Sequence, residues 1–547
     1  MTWTSALLAL SAGISIGVTP PATPAPTPPT PAPVVQQAPL HPGLVPFPFP
    51  QPTGPFTSSA PPETAKTTPP LAPGSPEWCK PLPGHRVECG TMTRPLVVGK
   101  PQLGTIDVAY TLVRRSDEAS PPKNTIVVNP GGPGGAAIAG AQFFVNLIGS
   151  LGTDHDLLLI DPRGVGYSSP VTCGLDIKDI YLAADRPRQR RLIGQCGTAL
   201  GPRAEGYTSA ATADDFDAVR RLLGIDKVVL YGLSYGTYLM PIYAERHPDT
   251  VKSIVLSGAY PVAFDSLGGP SARAISLSLK RVCERSGACD GRAAIRDLRR
   301  VTATLRANPI DVPYTVNGEP RTAKLTEHVL ATSLTYDASG GVGAFPDEVL
   351  LIGRMPALLH KAARGDTGPL VEWYSATFQA IAQESGDVGL STTVICNDYA
   401  RAWSVDAPLR KRYRQYDRAV DRADPGEFGA FSPEAFGASL PDGGDACIEW
   451  PKDGTARPYV LQGKLPHVPT LVLSGDLDNN TPDENGRLNA GQFLRARFLS
   501  VPNTGHVPEL DSTGCAQSIV VGFVRAERLG DTSCLASIPA VKVNPVP

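Results

Sequence analysis

The chain has no apolar run long enough to span a bilayer comfortably, no long basic run, and no Cys-x-x-Cys pair. The longest apolar stretch near the start, residues 5–18, falls short of the roughly twenty residues a spanning helix needs. The lack of a long basic run, with a formal net charge of -2, leaves nothing that suggests binding to nucleic acid or an anionic membrane. Without Cys-x-x-Cys or a Cys/His cluster there is no zinc site to read, and no metal or cofactor is expected. Charge is absent from the beginning of the chain as well: with histidine neutral, the first charged side chain is Glu63.

What is present in excess is proline. The chain holds 57, and the surplus is concentrated in the first 76 residues. Residues 1–18 therefore read as the apolar core of a secretory signal, lacking its basic flank, or as an uncleaved anchor, the one case in which membrane contact is expected. Residues 19–76, with PPATPAPTPPTPAP as their clearest stretch, read as an extended polyproline-type tether with no core. Beyond the tether, 41% hydrophobic and 19% charged residues overall describe a globular body. With 547 residues, one large domain carrying an insertion is the simplest organisation.

Ten cysteines stand at Cys79, Cys89, Cys173, Cys196, Cys283, Cys289, Cys396, Cys447, Cys515 and Cys534. The even count and the grouping into near neighbours suit disulfides formed outside the cytoplasm, so a secreted or cell-wall location is expected. The sequence does not by itself fix their connectivity.

From residue 77 the pattern alternates between short apolar runs and amphipathic helices, which argues for a parallel sheet in an α/β fold. NTIVVNP (124–130), HDLLLIDPRG (155–164), DKVVLYGLS (226–234) and KSIVLSG (252–258) read as buried strands, and ADDFDAVRRLLG (213–224) has the length and polarity of a crossover helix. Between residues 263 and 455 the pattern becomes mainly helical. The strand rhythm resumes with PTLVLSGDLD (469–478) and ARFLSVPNTGH (496–506). The expected layout is a core over 77–262 and 456–537, a helical cap over 263–455, and a C-terminal tail over 538–547.

Gly232-Leu233-Ser234-Tyr235-Gly236 follows one of these strands and opens a helix, the context of a nucleophile elbow. At such a turn the serine sits at a helix N-terminus, where backbone amides and the dipole favour a developing anion. Asn129-Pro130-Gly131-Gly132-Pro133-Gly134-Gly135 follows another strand and exposes amides unobstructed by side chains. It lacks the G-x-G-x-x-G spacing and the lysine of phosphate loops, so an oxyanion hole is the better reading, built from the Gly132 and Tyr235 amides. In this order of elements an acid and then a histidine follow the nucleophile. His506 is the one histidine beyond the last strand pair, and it lies in a loop at the C-terminal edge of the sheet. Asp476 and Asp478 compete for the acid, and Asp478, deeper in its loop, is favoured. Ser234, Asp478 and His506 are thus expected to be nucleophile, acid and base.

Together, NPGGPGG, DPRGVGYSSPVTC, YGLSYGTY, VICNDYA and the C-terminal LDNNTP, GH and cysteine landmarks resemble the secreted tripeptidyl aminopeptidases, relatives of the prolyl aminopeptidases among the α/β-hydrolases. The resemblance runs from Trp78 to Cys534. It implies the α/β-hydrolase fold with a helical cap, a peptide as substrate, and an acid in a D-x-x-T-P pattern, which falls on Asp478. It also supports pairing each cysteine with its neighbour in sequence. Release of short peptides from a free N-terminus implies a carboxylate for the substrate ammonium, and Asp398 and Glu449, beside the implied Cys396–Cys447 bridge, are the candidates. One departure from the family is Pro130, where a histidine is often found. The rival readings are a secreted esterase or lipase using the same triad, and a catalytically silent binding protein.

Overall fold

The computed structural model describes residues 67–182 and 185–546. The expected signal segment and most of the expected tether lie outside the described residues. All the strands expected from the sequence form, and others join them. An eight-stranded sheet runs in the order β1-β2-β4-β3-β5-β6-β9-β10, with β1 Val87–Pro95, β2 Thr105–Val113, β3 Thr125–Asn129, β4 Asp156–Ile160, β5 Val228–Leu233, β6 Val251–Ser257, β9 Thr470–Gly475 and β10 Ala496–Val501. From β4 to β10 every neighbour is parallel, whereas β1 and β2 form an antiparallel pair docked antiparallel on β4.

The central strands are apolar throughout because helices cover both faces. Alternate residues serve opposite cores. Val127, Leu158, Leu230 and Leu256 join one, with Phe216 and Leu239. Val128, Leu159, Val229 and Val255 join the other, with Phe144, Ile519 and Phe523. The crossover expected at ADDFDAVRRLLG is the helix Ser209–Leu222, capped by the Thr208 hydroxyl, which accepts from the Ala211 amide.

The segment between β6 and β9 is the insertion. It holds eight α-helices among the described residues, from Gly269–Ser286 to Pro433–Ser439. It also contains an antiparallel hairpin that the sequence reading missed, β7 (Ile310–Val316) and β8 (Glu319–Leu325), joined at Asn317-Gly318. Five disulfides link Cys79–Cys89, Cys173–Cys196, Cys283–Cys289, Cys396–Cys447 and Cys515–Cys534.

Candidate active site

The chemistry-bearing residues gather at the C-terminal ends of the parallel strands, as the crossover topology requires. Leu233 ends β5 and the helix Gly236–Arg246 begins two residues after Ser234, so Ser234 sits at the apex of a tight reversal with φ of 52°. A non-glycine residue in the left-handed region stores strain, and the surroundings hold it there. The Ser234 amide donates to the Ser257 carbonyl at 2.9 Å, and the Ser234 carbonyl accepts from the Thr237 amide and hydroxyl. The turn needs glycine at 236 because a Cβ there would lie 2.7 Å from the Asn129 carbonyl oxygen.

The glycine loop after β3 closes on the same point. Asn129 stands opposite Gly232 in the β3–β5 ladder, and its side-chain oxygen accepts from the Gly131 amide at 3.0 Å. A Cβ on Gly131, which has φ of 100°, would meet the Ser234 Cβ at 2.7 Å and the Tyr235 nitrogen at 3.2 Å. The loop therefore lies against the elbow with no room for a side chain. Gly131 has spent its amide on Asn129. Among the described residues, the Gly132 and Tyr235 amides have no hydrogen-bond acceptor.

The rest of the loop is tied down by Asp161, at the end of β4, which accepts from the Ile138 and Tyr167 amides at 2.9 Å each. Burial pushes the Asp161 carboxyl up to about 6, and those amide donors work against the shift.

The loops after β9 and β10 bring Asp478 to His506, with Oδ2 2.9 Å from Nδ1. Both residues are buried. Burial acts to raise the Asp478 carboxyl, but His506 and the Thr481 hydroxyl and amide outweigh it, and the net shift is downward. Asp478 Oδ1 accepts the Asn480 and Thr481 amides at 2.9 and 3.0 Å, so the carboxylate is held by its own loop. The Thr481 hydroxyl bonds Asp478 Oδ2 and lies 3.0 Å from His506 Nδ1. Gly258, one residue past the carbonyl that receives the Ser234 amide, runs beneath the imidazole. A Cβ there would be 3.0 Å from His506 Cε1. Serine and histidine thus flank one turn of backbone.

Asp476 does other work. It pairs with Arg285 and accepts the Asn503 amide at 2.8 Å, fastening the cap helix Gly269–Ser286 to the β10 loop. The two carboxyls that compete in the sequence are separated by their partners in the structure.

The substrate-binding candidates require a correction. Asp398 is only 2% exposed and its Oδ2 accepts the Ser209 amide at 2.5 Å, so its carboxylate is turned into the core. Glu449 accepts from the Tyr413 hydroxyl at 2.7 Å and packs against Gly194 of the helix Arg186–Leu200. Both are engaged by protein groups.

Ser339 escaped the sequence reading entirely. Its carbonyl accepts the His506 amide at 3.0 Å and its hydroxyl accepts the Asn479 amide at 2.7 Å, so one cap residue holds both the acid loop and the base loop. Glu509 was missed as well. Buried three residues past His506, it accepts from the Tyr231 hydroxyl at 2.7 Å and from the Ser257 hydroxyl, joining β5 and β6 behind the elbow. Thr481 did have a signal, as the threonine of the D-x-x-T-P pattern.

Comparison with known proteins agrees with this architecture. Residues 124–272 match the family model described as alpha/beta hydrolase fold, and residues 432–534 match that described as TAP-like protein. The chain has the α/β-hydrolase fold. It is 29% identical over 208 residues to a tripeptidyl aminopeptidase of Streptomyces lividans, a match covering 35% of this chain and 38% of that one. It is 26% identical over 481 residues to the serine protease Hip1 of Mycobacterium bovis, covering 81% and 86%. With a proline iminopeptidase of Neisseria gonorrhoeae it shares 27% identity over 144 residues, covering 26% and 35%. The match therefore spans little more than a third of the Streptomyces and Neisseria enzymes.

Proposed function

We propose that the chain is a secreted serine exopeptidase that releases short peptides, tripeptides in particular, from free N-termini through an acyl-enzyme at Ser234. The observation that carries this reading is the buried Asp478–His506 pair, 2.9 Å apart, set beside a strained serine and two uncommitted amides under a large cap. The likeness to tripeptidyl aminopeptidases supports the choice of peptide as substrate.

In this mechanism neutral His506 takes the Ser234 proton as Oγ attacks the scissile carbonyl. The oxyanion is received by the Gly132 and Tyr235 amides. Asp478 holds the tautomer with hydrogen on Nδ1 and stabilises the imidazolium, which then protonates the leaving amine. Water repeats the sequence on the acyl-enzyme. Five disulfides, with no free cysteine among the described residues, support an oxidising compartment.

A free-amine substrate needs an acid that no cation has claimed. Asp337 lies two residues before Ser339 and lines a cavity with Tyr181 and Phe378; burial pushes its carboxyl up to about 6, and a hydrogen bond with the Ser333 side chain works against that shift. It is the carboxylate we assign to the substrate ammonium, in place of Asp398 and Glu449.

The test compares a tripeptidyl anilide with its N-acetylated twin, on the wild type and on Asp337→Asn. Acetylation is expected to remove most of kcat/KM in the wild type and much less in the variant. Equal rates on both substrates in the wild type would overturn the exopeptidase reading in favour of an esterase or endopeptidase. An unchanged acetylation penalty in Asp337→Asn would overturn the assignment of that acid.

A further inference from the structure

The VICNDYA segment (394–400) stands out in the sequence, and its acid is buried and held by the Ser209 amide. It ends the helix Gly389–Asp398, which the Cys396–Cys447 disulfide pins to the cap. Its last residues reach three places around the nucleophile elbow. Asn397 donates through Nδ2 to the carbonyls of Ala204 and Tyr207 at 2.8 and 2.9 Å, fixing the turn that leads into the crossover helix. Asp398 Oδ2 accepts the amide of Ser209, the first residue of that helix, and the Asp398 carbonyl accepts the Tyr238 hydroxyl at 2.7 Å. The Tyr399 and Tyr260 hydroxyls are hydrogen-bonded, and the Tyr260 amide donates to the Thr237 hydroxyl at 3.2 Å.

Ser209 completes the path. Its hydroxyl is 2.6 Å from that of Tyr235, and the Tyr235 ring stacks on Tyr238 with centroids 6.0 Å apart. Asp398, Ser209, Tyr235 and Tyr238 are all at most 2% exposed. Tyr235 is the residue whose backbone amide is assigned to the oxyanion. Its side chain is thus anchored, through Ser209, to a carboxylate that also takes up a helix N-terminus, where negative charge is favoured. From these contacts we infer that Asp398 is a positioning residue of the oxyanion hole: it fixes Ser209, Ser209 fixes the Tyr235 side chain, and the Tyr235 amide is thereby aimed. The inference rests on the assignment of Ser234 as nucleophile and Tyr235 as oxyanion donor, and it does not depend on which acyl substrate the enzyme takes.

An amide aimed at an oxyanion matters more to the transition state than to the bound substrate. Losing an oxyanion donor outright costs about 10²–10³ in rate, so loosening one should cost less, about 10- to 100-fold. The experiment measures kcat and KM on a tripeptidyl anilide, affinity for the matching peptide aldehyde, and the rate of labelling by a fluorophosphonate. It uses full-length Asp398→Ala, Asp398→Asn, Tyr235→Phe and the double variant Asp398→Ala/Tyr235→Phe.

The expected result for Asp398→Ala is a 10- to 100-fold lower kcat with KM changed less than about threefold, and aldehyde affinity reduced by the same factor as kcat. Asp398→Asn retains an oxygen for the Ser209 amide and should recover most of the rate. Tyr235→Phe keeps the amide but loses its anchor, and should fall short in the same way. The double variant should be little worse than either single one, because both break the same path. If Asp398→Ala does not fold, Tyr235→Phe and Asp398→Asn still decide the matter.

A folded Asp398→Ala or Tyr235→Phe with wild-type kcat and aldehyde affinity would overturn the inference. So would a raised KM confined to free-amine peptides, since that marks an acid touching the substrate ammonium. Fluorophosphonate labelling keeps the two readings apart. Wild-type labelling without peptide cleavage would sink the exopeptidase proposal and leave the Asp398 test intact. Labelling that is insensitive to the variants would sink the Asp398 inference alone.

Discussion

Replacing Asp478 with asparagine changes one atom and should nearly silence the enzyme. In the native loop Oδ1 accepts two amides and Oδ2 faces His506 Nδ1 and the Thr481 hydroxyl. An asparagine keeps its oxygen toward the two amides, because turning it round would set an NH₂ against two N–H donors. Its NH₂ must then face Nδ1, which has to become an acceptor. The hydrogen moves to Nε2, the nitrogen that should take the Ser234 proton, and the base is lost. A wrong-tautomer defect of this kind costs about 10⁴ in kcat, or about 5 kcal/mol of transition-state stabilisation.

Asp476→Asn removes a partner of Arg285 and weakens the seat of the cap helix, but leaves the imidazole alone. The cost there should appear in stability, at about 1–3 kcal/mol, with kcat within a few-fold of wild type. The assay is kcat on a tripeptidyl anilide at saturation, with thermal melts of both variants. A loss in Asp476→Asn as large as in Asp478→Asn, at matched folding, would refute the assignment of roles.

Three further outcomes follow from the same geometry. Ser234→Ala should abolish fluorophosphonate labelling and leave the melt unchanged or improved, since alanine is freed from the demands of the hydroxyl; labelling that persists would place the nucleophile elsewhere. Asp161 and Asp398 are both pushed up to about 6 from an ordinary 3.8, by burial first, so the folded state binds their protons more tightly than the unfolded one. Their stabilising contribution is complete below about pH 4 and is lost as pH rises through about 6, whereas Asp154 and Asp214, lowered to about 2, stabilise above pH 4 and cease to do so near pH 2. Calorimetry should therefore find Tm rising as pH falls from about 7.5 to 5, and a steady decline over that range would contradict it. Peptide mapping of unreduced protein from its natural location should recover the five disulfide links, and free thiols there would argue against export.

The sequence was most legible where burial is two-sided. The central strands are continuous apolar runs because both faces are covered, and their ends carried the glycine-rich loop, the elbow, and the acid and histidine loops in chain order. β1 was not visible for the opposite reason: it pairs antiparallel at the sheet margin and is exposed or half-exposed along most of its length, so Thr91, Thr93 and Arg94 replace an apolar run. The β7–β8 hairpin is masked in the same way by Glu319, Arg321 and Lys324, all exposed. Within the site, residues acting by side-chain type at a fixed motif position could be read. Ser339 could not, because it acts largely through its carbonyl, and a backbone contact leaves no signature in residue identity. Asp398 was picked out for the wrong reason: an acid beside a cap disulfide suggests a ligand group, and only its burial and the Ser209 amide show otherwise.

The cap also has a second role, one that its helical composition does not suggest. Leu334, Ser339, Val342 and Gly343 accept backbone or side-chain donors from Asn479, His506, Gly505 and Ser512, so a ten-residue stretch of the insertion is bonded to both loops that carry the acid and the base. Asn479 and His506 are buried beneath it, and their amides would have no partner if that stretch lifted away. A lid hinged there would dismantle the Asp478–His506 pair each time it opened. Any opening that admits substrate must therefore leave residues 334–343 seated and move other parts of the insertion. The part of the cap nearest the chemistry belongs mechanically to the catalytic core, although in sequence it lies more than a hundred residues from either loop.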